Sequence, residues 1–154
     1  MDGYGLAKII LIGEHSVVYG HPAIAIPFYA LRSEVVLVEH NKFVLDTKYY
    51  EGPIENAVFE LRGLVALINE LRARYKDITP VIISIRSNLP EKSGLGSSAS
   101  VAKALIDAFN NYFKLNLTKT DYFELLKISE NIYHHKASGI DASTIVYEKP
   151  IVYQ

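Results

Sequence analysis

The chain has 154 residues, is 49% hydrophobic and 21% charged, and carries 16 basic against 17 acidic side chains, for a formal net charge of −1. That is enough apolar mass for one packed domain, which excludes disorder, and the balanced charge removes any broad pull toward nucleic acid or an anionic membrane. With no cysteine, disulfides, thiolate metal sites and cysteine nucleophiles are excluded as well.

The apolar runs at 9–12 and 35–38 are far too short to span a bilayer, and the N-terminus lacks the basic region and long apolar core of a secretion signal. A cytoplasmic location is expected. Residues 8–12 form a β-branched apolar run stopped by Gly13 and read as a strand. Residues 23–26 and 33–39 read likewise, and 42–45 could return on the latter as a hairpin across His40-Asn41. From 55 to 75 the period becomes helical, with Val58, Leu61, Leu64, Val65, Ile68 and Leu71 on one face; this helix carries no chemical signal. A strand at 81–85 opens after Pro80, and a polar, glycine-containing loop leads to a helix over 97–113. Thr118 with Asp121 predicts a variant capping box for a helix over 119–133. The tail reads as strands at 144–147 and 151–153 around Lys149-Pro150. Strands, then helices, then strands predict an α+β layer with helices on one sheet face.

The strongest chemical signal is Pro90-Glu91-Lys92-Ser93-Gly94-Leu95-Gly96-Ser97-Ser98-Ala99, placed between a strand and a helix. Gly94 and Gly96 let the backbone adopt positive φ and approach a ligand closely. The first N–H groups of the following helix lack intrahelical partners and sit at its positive pole, a ready site for phosphate. The Ser97 and Ser98 hydroxyls add hard oxygens suited to Mg²⁺. A plain turn with serine as helix N-cap is the competing reading. A dinucleotide fingerprint fits poorly, because eight residues separate the loop from Ile85 and a helix follows where a strand and an acid are required. The Walker pattern is absent.

Taken alone, Lys8 reads as a strand end, Asp141 as a turn acid after Gly139, and Glu130 as a solvated helical acid. Adjacent His134-His135 seldom converge on one ion and no third ligand is suitably spaced, so zinc is not expected. The tyrosines show no stacking pattern for nucleic acid.

Read together, three ordered segments resemble the GHMP kinases. The Pro90-to-Ala99 loop resembles their second motif. Lys8, Gly13, Glu14, His15, Val17, Val18 and Gly20 match the spacing of the N-terminal motif of the mevalonate-kinase branch. Ser138-Gly139-Ile140-Asp141 resembles the segment that carries its catalytic aspartate. Glu130, eleven residues before Asp141, falls where that branch has its magnesium ligand.

The resemblance implies an N-terminal kinase domain with a mixed or antiparallel sheet, helices on one face and a left-handed β-α-β crossover. It implies ATP and Mg²⁺ as cofactors and mevalonate as the small-molecule substrate, phosphorylated on its 5-hydroxyl. The implied roles place Pro90, Lys92, Ser93, Gly94, Leu95, Gly96, Ser97, Ser98 and Ala99 on the ATP, with Ser98 and Glu130 on Mg²⁺. Asp141 takes the hydroxyl proton beside Lys8, and Glu14, His15, Ser138 and Gly139 surround the substrate. Phosphomevalonate kinase, homoserine kinase or a nucleotide-binding fragment without activity are the alternatives. A homodimer is allowed for the full-length enzyme, whose C-terminal domain lies outside these 154 residues, so slow or no turnover is expected of the chain alone.

Lys8 and Glu14 are six residues apart, about 20 Å on a straight strand, so a shared pocket requires a bend near Gly13. The chain departs from the family at Leu6-Ala7, at Lys92-Ser93 and at Glu148-Lys149-Pro150, where a glycine-rich turn is usual.

Overall fold

The computed structural model describes residues 2–133 and 139–154. Ten main elements follow one another: β1 (Gly3–Ile12), β2 (Ala23–Glu39), β3 (Val44–Asp46), β4 (Glu51–Pro53), α1 (Arg62–Arg74), β5 (Val81–Ser87), α2 (Ser97–Phe113), α3 (Lys119–Tyr133), α4 (Ile140–Tyr147) and β6 (Ile151–Tyr153). The sheet order is β1-β2-β5-β3-β4, with β6 also on β2. All pairs are antiparallel except β3 with β5, which run parallel and are joined through β4 and α1.

Alternation along β2 decides the layering. Val35 and Leu37 are buried, while Val36 and Val38 are 38% and 52% exposed, as expected when one sheet face is covered. The covered face packs Val35, Leu37, Leu45, Ile83 and Ile85 against α1, α2 and α3, which contribute Leu67, Ile68, Phe109, Leu125 and Leu126 to the same core. The helices therefore lie on one face, as the sequence predicts. Among the described residues no helix is long and apolar enough to cross a membrane.

Several boundaries differ from the sequence reading. The expected strands at 23–26 and 33–39 are one strand running through Pro27. Proline is tolerated because β5 and β6 pair with β2 only at 33–39 and 23–25, leaving Pro27 without a strand on that side. A register shift between Leu6 and Ala7 leaves residues 29–31 of β2 outside the β1 ladder. The hairpin predicted for 42–45 does not form: β5 occupies the β2 edge over 33–39, and β3 pairs with β5 instead. The helix predicted over 55–75 starts later, at Arg62, after 3₁₀ turns at Ile54–Asn56 and Phe59–Leu61.

The strand predicted over 144–147 is a correction of kind, since these residues end helix α4. Thr144, Ile145 and Val146 have strand-type propensity, but all three are buried and the Thr144 hydroxyl donates back to the Ile140 carbonyl at 2.8 Å. Burial has overridden propensity. The capping box forms as expected, with Thr118 N–H donating to Asp121 Oδ2 at 2.7 Å and Asp121 N–H to Thr118 Oγ1 at 3.3 Å.

Close approach of α2 to β1 sets up the site. A Cβ on Gly5 would lie 2.0 Å from the Ser100 carbonyl, and one on Gly3 equally close to that of Ala104. Only glycine allows this packing, and Ser100 Oγ then donates to the Gly5 carbonyl at 2.6 Å. The N-terminus of α2 is thereby seated beside Lys8.

Candidate functional site

The loop after β5 ends in two left-handed glycines, Gly94 at φ +72° and Gly96 at φ +75°. Gly96 is the N-cap of α2, and no side chain caps it. The serine N-cap reading is therefore replaced: Ser97 and Ser98 lie inside the first turn. Ser98 Oγ instead donates to Glu130 Oε1 of α3 at 2.7 Å, and Glu130 is only 7% exposed. The first-turn N–H groups of α2 are left for a ligand at the positive end of a 17-residue helix. Lys92 is also left-handed, at φ +54°, and Ser93 Oγ closes the loop by donating to the Pro90 carbonyl at 2.7 Å.

Lys8 reaches the loop twice. Its backbone N–H donates to the Leu95 carbonyl at 2.9 Å. Its side chain passes over Gly96, where a Cβ would meet Lys8 Cγ at 3.0 Å. Beyond the glycine, Lys8 Nζ pairs with Asp141 Oδ1 at 2.8 Å. Lys8 is buried, whereas the Asp141 side chain is 32% exposed. Asp141 occupies the first turn of α4, whose N-cap is Gly139 at φ +80°.

A cleft of about 570 Å³ brings most of these groups together. Lys92, Ser93, Gly94, Gly96, Ser97 and Ser98 line one side, Asp141 lies at its edge, and Leu64, Val101 and Tyr133 form an apolar wall. A neighbouring hollow of about 420 Å³ shares Glu91, Ser97 and Val101 and includes Pro90. Leu95 is spent on holding β1, and Ala99 is buried in the core.

Other expected residues are not in this cleft. The bend at Gly13 forms, with φ +93° and a Val17 N–H to Gly13 carbonyl bond at 3.0 Å. Yet Glu14 and His15 are exposed and line a separate hollow with Ile10, Ile12 and Ser16. Gly139 lines another, with Glu130, Asn131 and Tyr153. Ser138 and the His134-His135 pair lie outside the described residues. Among the described residues no three His, Asp or Glu side chains gather as a metal cluster. The Ser98–Glu130 pair does fit Mg²⁺, which takes one or two protein oxygens and completes its shell with water and phosphate.

The sequence reading missed Glu60, Leu64 and Tyr133, all of which wall the cleft. The stretch over 55–75, read as a helix free of chemical signal, contributes Glu60 and Leu64. Tyr133 is fixed there by donating to the Glu60 carbonyl at 2.7 Å and accepting from Gly63 N–H at 3.1 Å. Only the apolar period of α3 hinted at Tyr133, and periodicity does not separate a core face from a cleft wall.

Comparisons with known proteins agree with one another. Residues 62–149 match the family model described as GHMP kinases N terminal domain. A mevalonate kinase from Thermococcus sibiricus is 35% identical over 170 aligned positions, covering 96% of this chain and 50% of that protein. The solved mevalonate kinase of methicillin-resistant Staphylococcus aureus superposes with a TM-score of 0.74 at 36% identity, over 99% of this chain and 52% of that one. That of Methanococcus jannaschii reaches 0.87 at 26% identity, over 100% and 53%. The chain thus spans about half the length of the curated relatives it matches.

Proposed function

This chain belongs to the GHMP kinase N-terminal domain family, and on that basis we propose that its cleft binds Mg·ATP. We further propose that the protein transfers the γ-phosphoryl group to the 5-hydroxyl of mevalonate, giving 5-phosphomevalonate and ADP. The observation that carries this reading is the 2.8 Å Lys8–Asp141 contact, because Asp141 sits in the cleft that the glycine loop lines. The names of the archaeal and staphylococcal relatives supply the substrate.

Phosphoryl transfer asks mainly for positioning and for stabilising spread negative charge. The loop backbone and the open N–H groups of α2 hold the phosphates with donors already in place. Ser98 and Glu130 would hold Mg²⁺, whose charge would offset that of the phosphates. The substrate oxygen forms its bond to the γ-phosphorus as the bond to the β-phosphate oxygen breaks and ADP leaves. The Asp141 carboxylate takes the hydroxyl proton, and the Lys8 ammonium stabilises the oxygen losing it. Such a base contributes ~10²–10⁴-fold. Glu14, His15, Ser138 and Gly139 belong to the same proposal as substrate contacts, as do a cytoplasmic location and a homodimer of the longer enzyme.

Titration of the chain with Mg·ATP tests the nucleotide half of the reading, and Ser98→Ala should weaken a saturable isotherm. ³¹P NMR with mevalonate, phosphomevalonate and homoserine in parallel tests the acceptor, with product expected from mevalonate alone. Turnover by this half-length chain is expected to be slow against a full-length relative. A chain that takes up no Mg·ATP would overturn the assignment.

A further inference from the structure

Among the described residues the buried lysines are Lys8, which pairs with Asp141 of the cleft, and Lys103, which does not meet it. Lys103 lies in the middle of α2, and its Nζ bonds Asp107 Oδ2 and Glu148 Oε1, each at 2.6 Å. Burial by itself would make this ammonium easier to deprotonate. Asp107 and Glu148 outweigh that and hold it above the ordinary lysine value.

Glu148 follows the last turn of α4 in the left-handed region, at φ +52°. A side chain with a Cβ resists that conformation, and glycine would adopt it freely. Here the side chain is in use at both oxygens. Tyr4 of β1 donates its hydroxyl to Glu148 Oε2 at 3.0 Å. Tyr29, in the part of β2 outside the β1 ladder, donates to the Glu148 carbonyl at 3.0 Å. Lys119 of α3 donates to the Val146 carbonyl at 2.7 Å. Four elements therefore send a polar group to one end of α4.

An eight-residue helix has little stability of its own and depends on such contacts. Glu148 is seven residues after Asp141, about 10 Å along the axis at 1.5 Å per residue. Lys8 holds the helix at its start and Lys103 at its end. We propose that Lys103 and Glu148 are positioning residues, which seat the C-terminal end of α4 so that Asp141 stays against Lys8 at the edge of the cleft. The inference rests on the reading of Asp141 as the proton acceptor.

Amide hydrogen exchange followed by NMR on the chain, combined with Mg·ATP titration, tests it. In Lys103→Met, amides of residues 140–147 should exchange at least ten-fold faster than in the unsubstituted chain, while those of β5 and α1 keep their rates. The side-chain carboxyl carbon of Asp141 should move toward the shift of a solvated aspartate, and Mg·ATP affinity should stay within two-fold. Glu148→Gln leaves one oxygen to accept from Lys103 but sets an amide NH2 opposite the Tyr4 hydroxyl, and should speed exchange in the same helix by an intermediate two- to five-fold. Should Lys103→Met not fold, Tyr4→Phe removes a single hydroxyl and should give a two- to five-fold effect confined to the same helix. Unchanged exchange in α4, or acceleration spread equally over β5 and α1, overturns the proposal. A chain that binds no Mg·ATP overturns the kinase reading instead, while the exchange data still decide whether the clamp exists.

Discussion

Two lysine–carboxylate clusters anchor opposite ends of α4, and they are finished differently. Lys103 meets two carboxylates, whose side chains are 13% and 28% exposed and line a hollow of about 270 Å³ with Tyr122, and Tyr4 and Tyr122 donate to the same carboxylates. Lys8 is as deeply buried, yet it meets one carboxylate, and that group is 32% exposed on a cleft. In the Lys103 cluster all four carboxylate oxygens already accept a bond from within the protein, which suits it to holding. The open pair leaves a carboxylate accessible beside a fixed positive charge, which suits it to proton transfer.

That contrast can be broken most sharply at the open pair. Asp141→Asn should lower phosphoryl transfer ~10²–10⁴-fold, read by ³¹P NMR, and, because it takes the counter-charge from the buried Lys8 while keeping an acceptor for it, should cost about 1 kcal/mol in equilibrium unfolding. The Lys103 cluster should respond in stability rather than in chemistry. Lys103→Ala leaves two half-buried carboxylates without their shared counter-charge and should cost about 2 kcal/mol in urea unfolding, against about 1 kcal/mol or less for Lys8→Met, where Asp141 can hydrate.

Between these in size lies the effect at the proposed nucleotide site. Ser98→Ala removes the hydroxyl 2.7 Å from Glu130 and should weaken Mg·ATP roughly ten-fold by calorimetry, about 1.4 kcal/mol, with little effect on folding.

The smallest effect is a pH dependence to which the Lys103 cluster contributes. Burial, and then the bond it donates to Asp107, push the Tyr122 phenol well above its ordinary 10.0, and Lys103 lies above 10.5. Both groups hold their protons more tightly folded than unfolded. Their contribution is therefore complete below about pH 10 and is lost as pH rises through the raised folded values. The urea midpoint should fall above pH 10 in the unsubstituted chain, and less steeply in Tyr122→Phe.

The two clusters were not equally legible. Lys8 and Asp141 could be named because each lies in a segment resembling a kinase motif, and Glu130 because of its distance from Asp141. Lys103 and Glu148 belong to no such motif. A lysine between Ala102 and Ala104 in an apolar helix, four residues before Asp107, was the signal available. Glu148 registered only as a departure from a glycine-rich turn. Tyr4 and Tyr29 reach the cluster across 144 and 119 residues, separations that no local pattern encodes. The Gly13 bend was foreseen, but the hollow into which Glu14 and His15 open was not.

By itself the sequence determined the glycine loop, the amphipathic helices, the capping box and the order of the motifs, since each depends on residues within a few turns of one another. Only the tertiary structure decided that 144–147 is helix, that β3 joins β5, and which end of α4 each buried lysine holds. Those outcomes depend on which surfaces compete for burial and on charges paired across the whole chain, and local propensity is too weak to settle either.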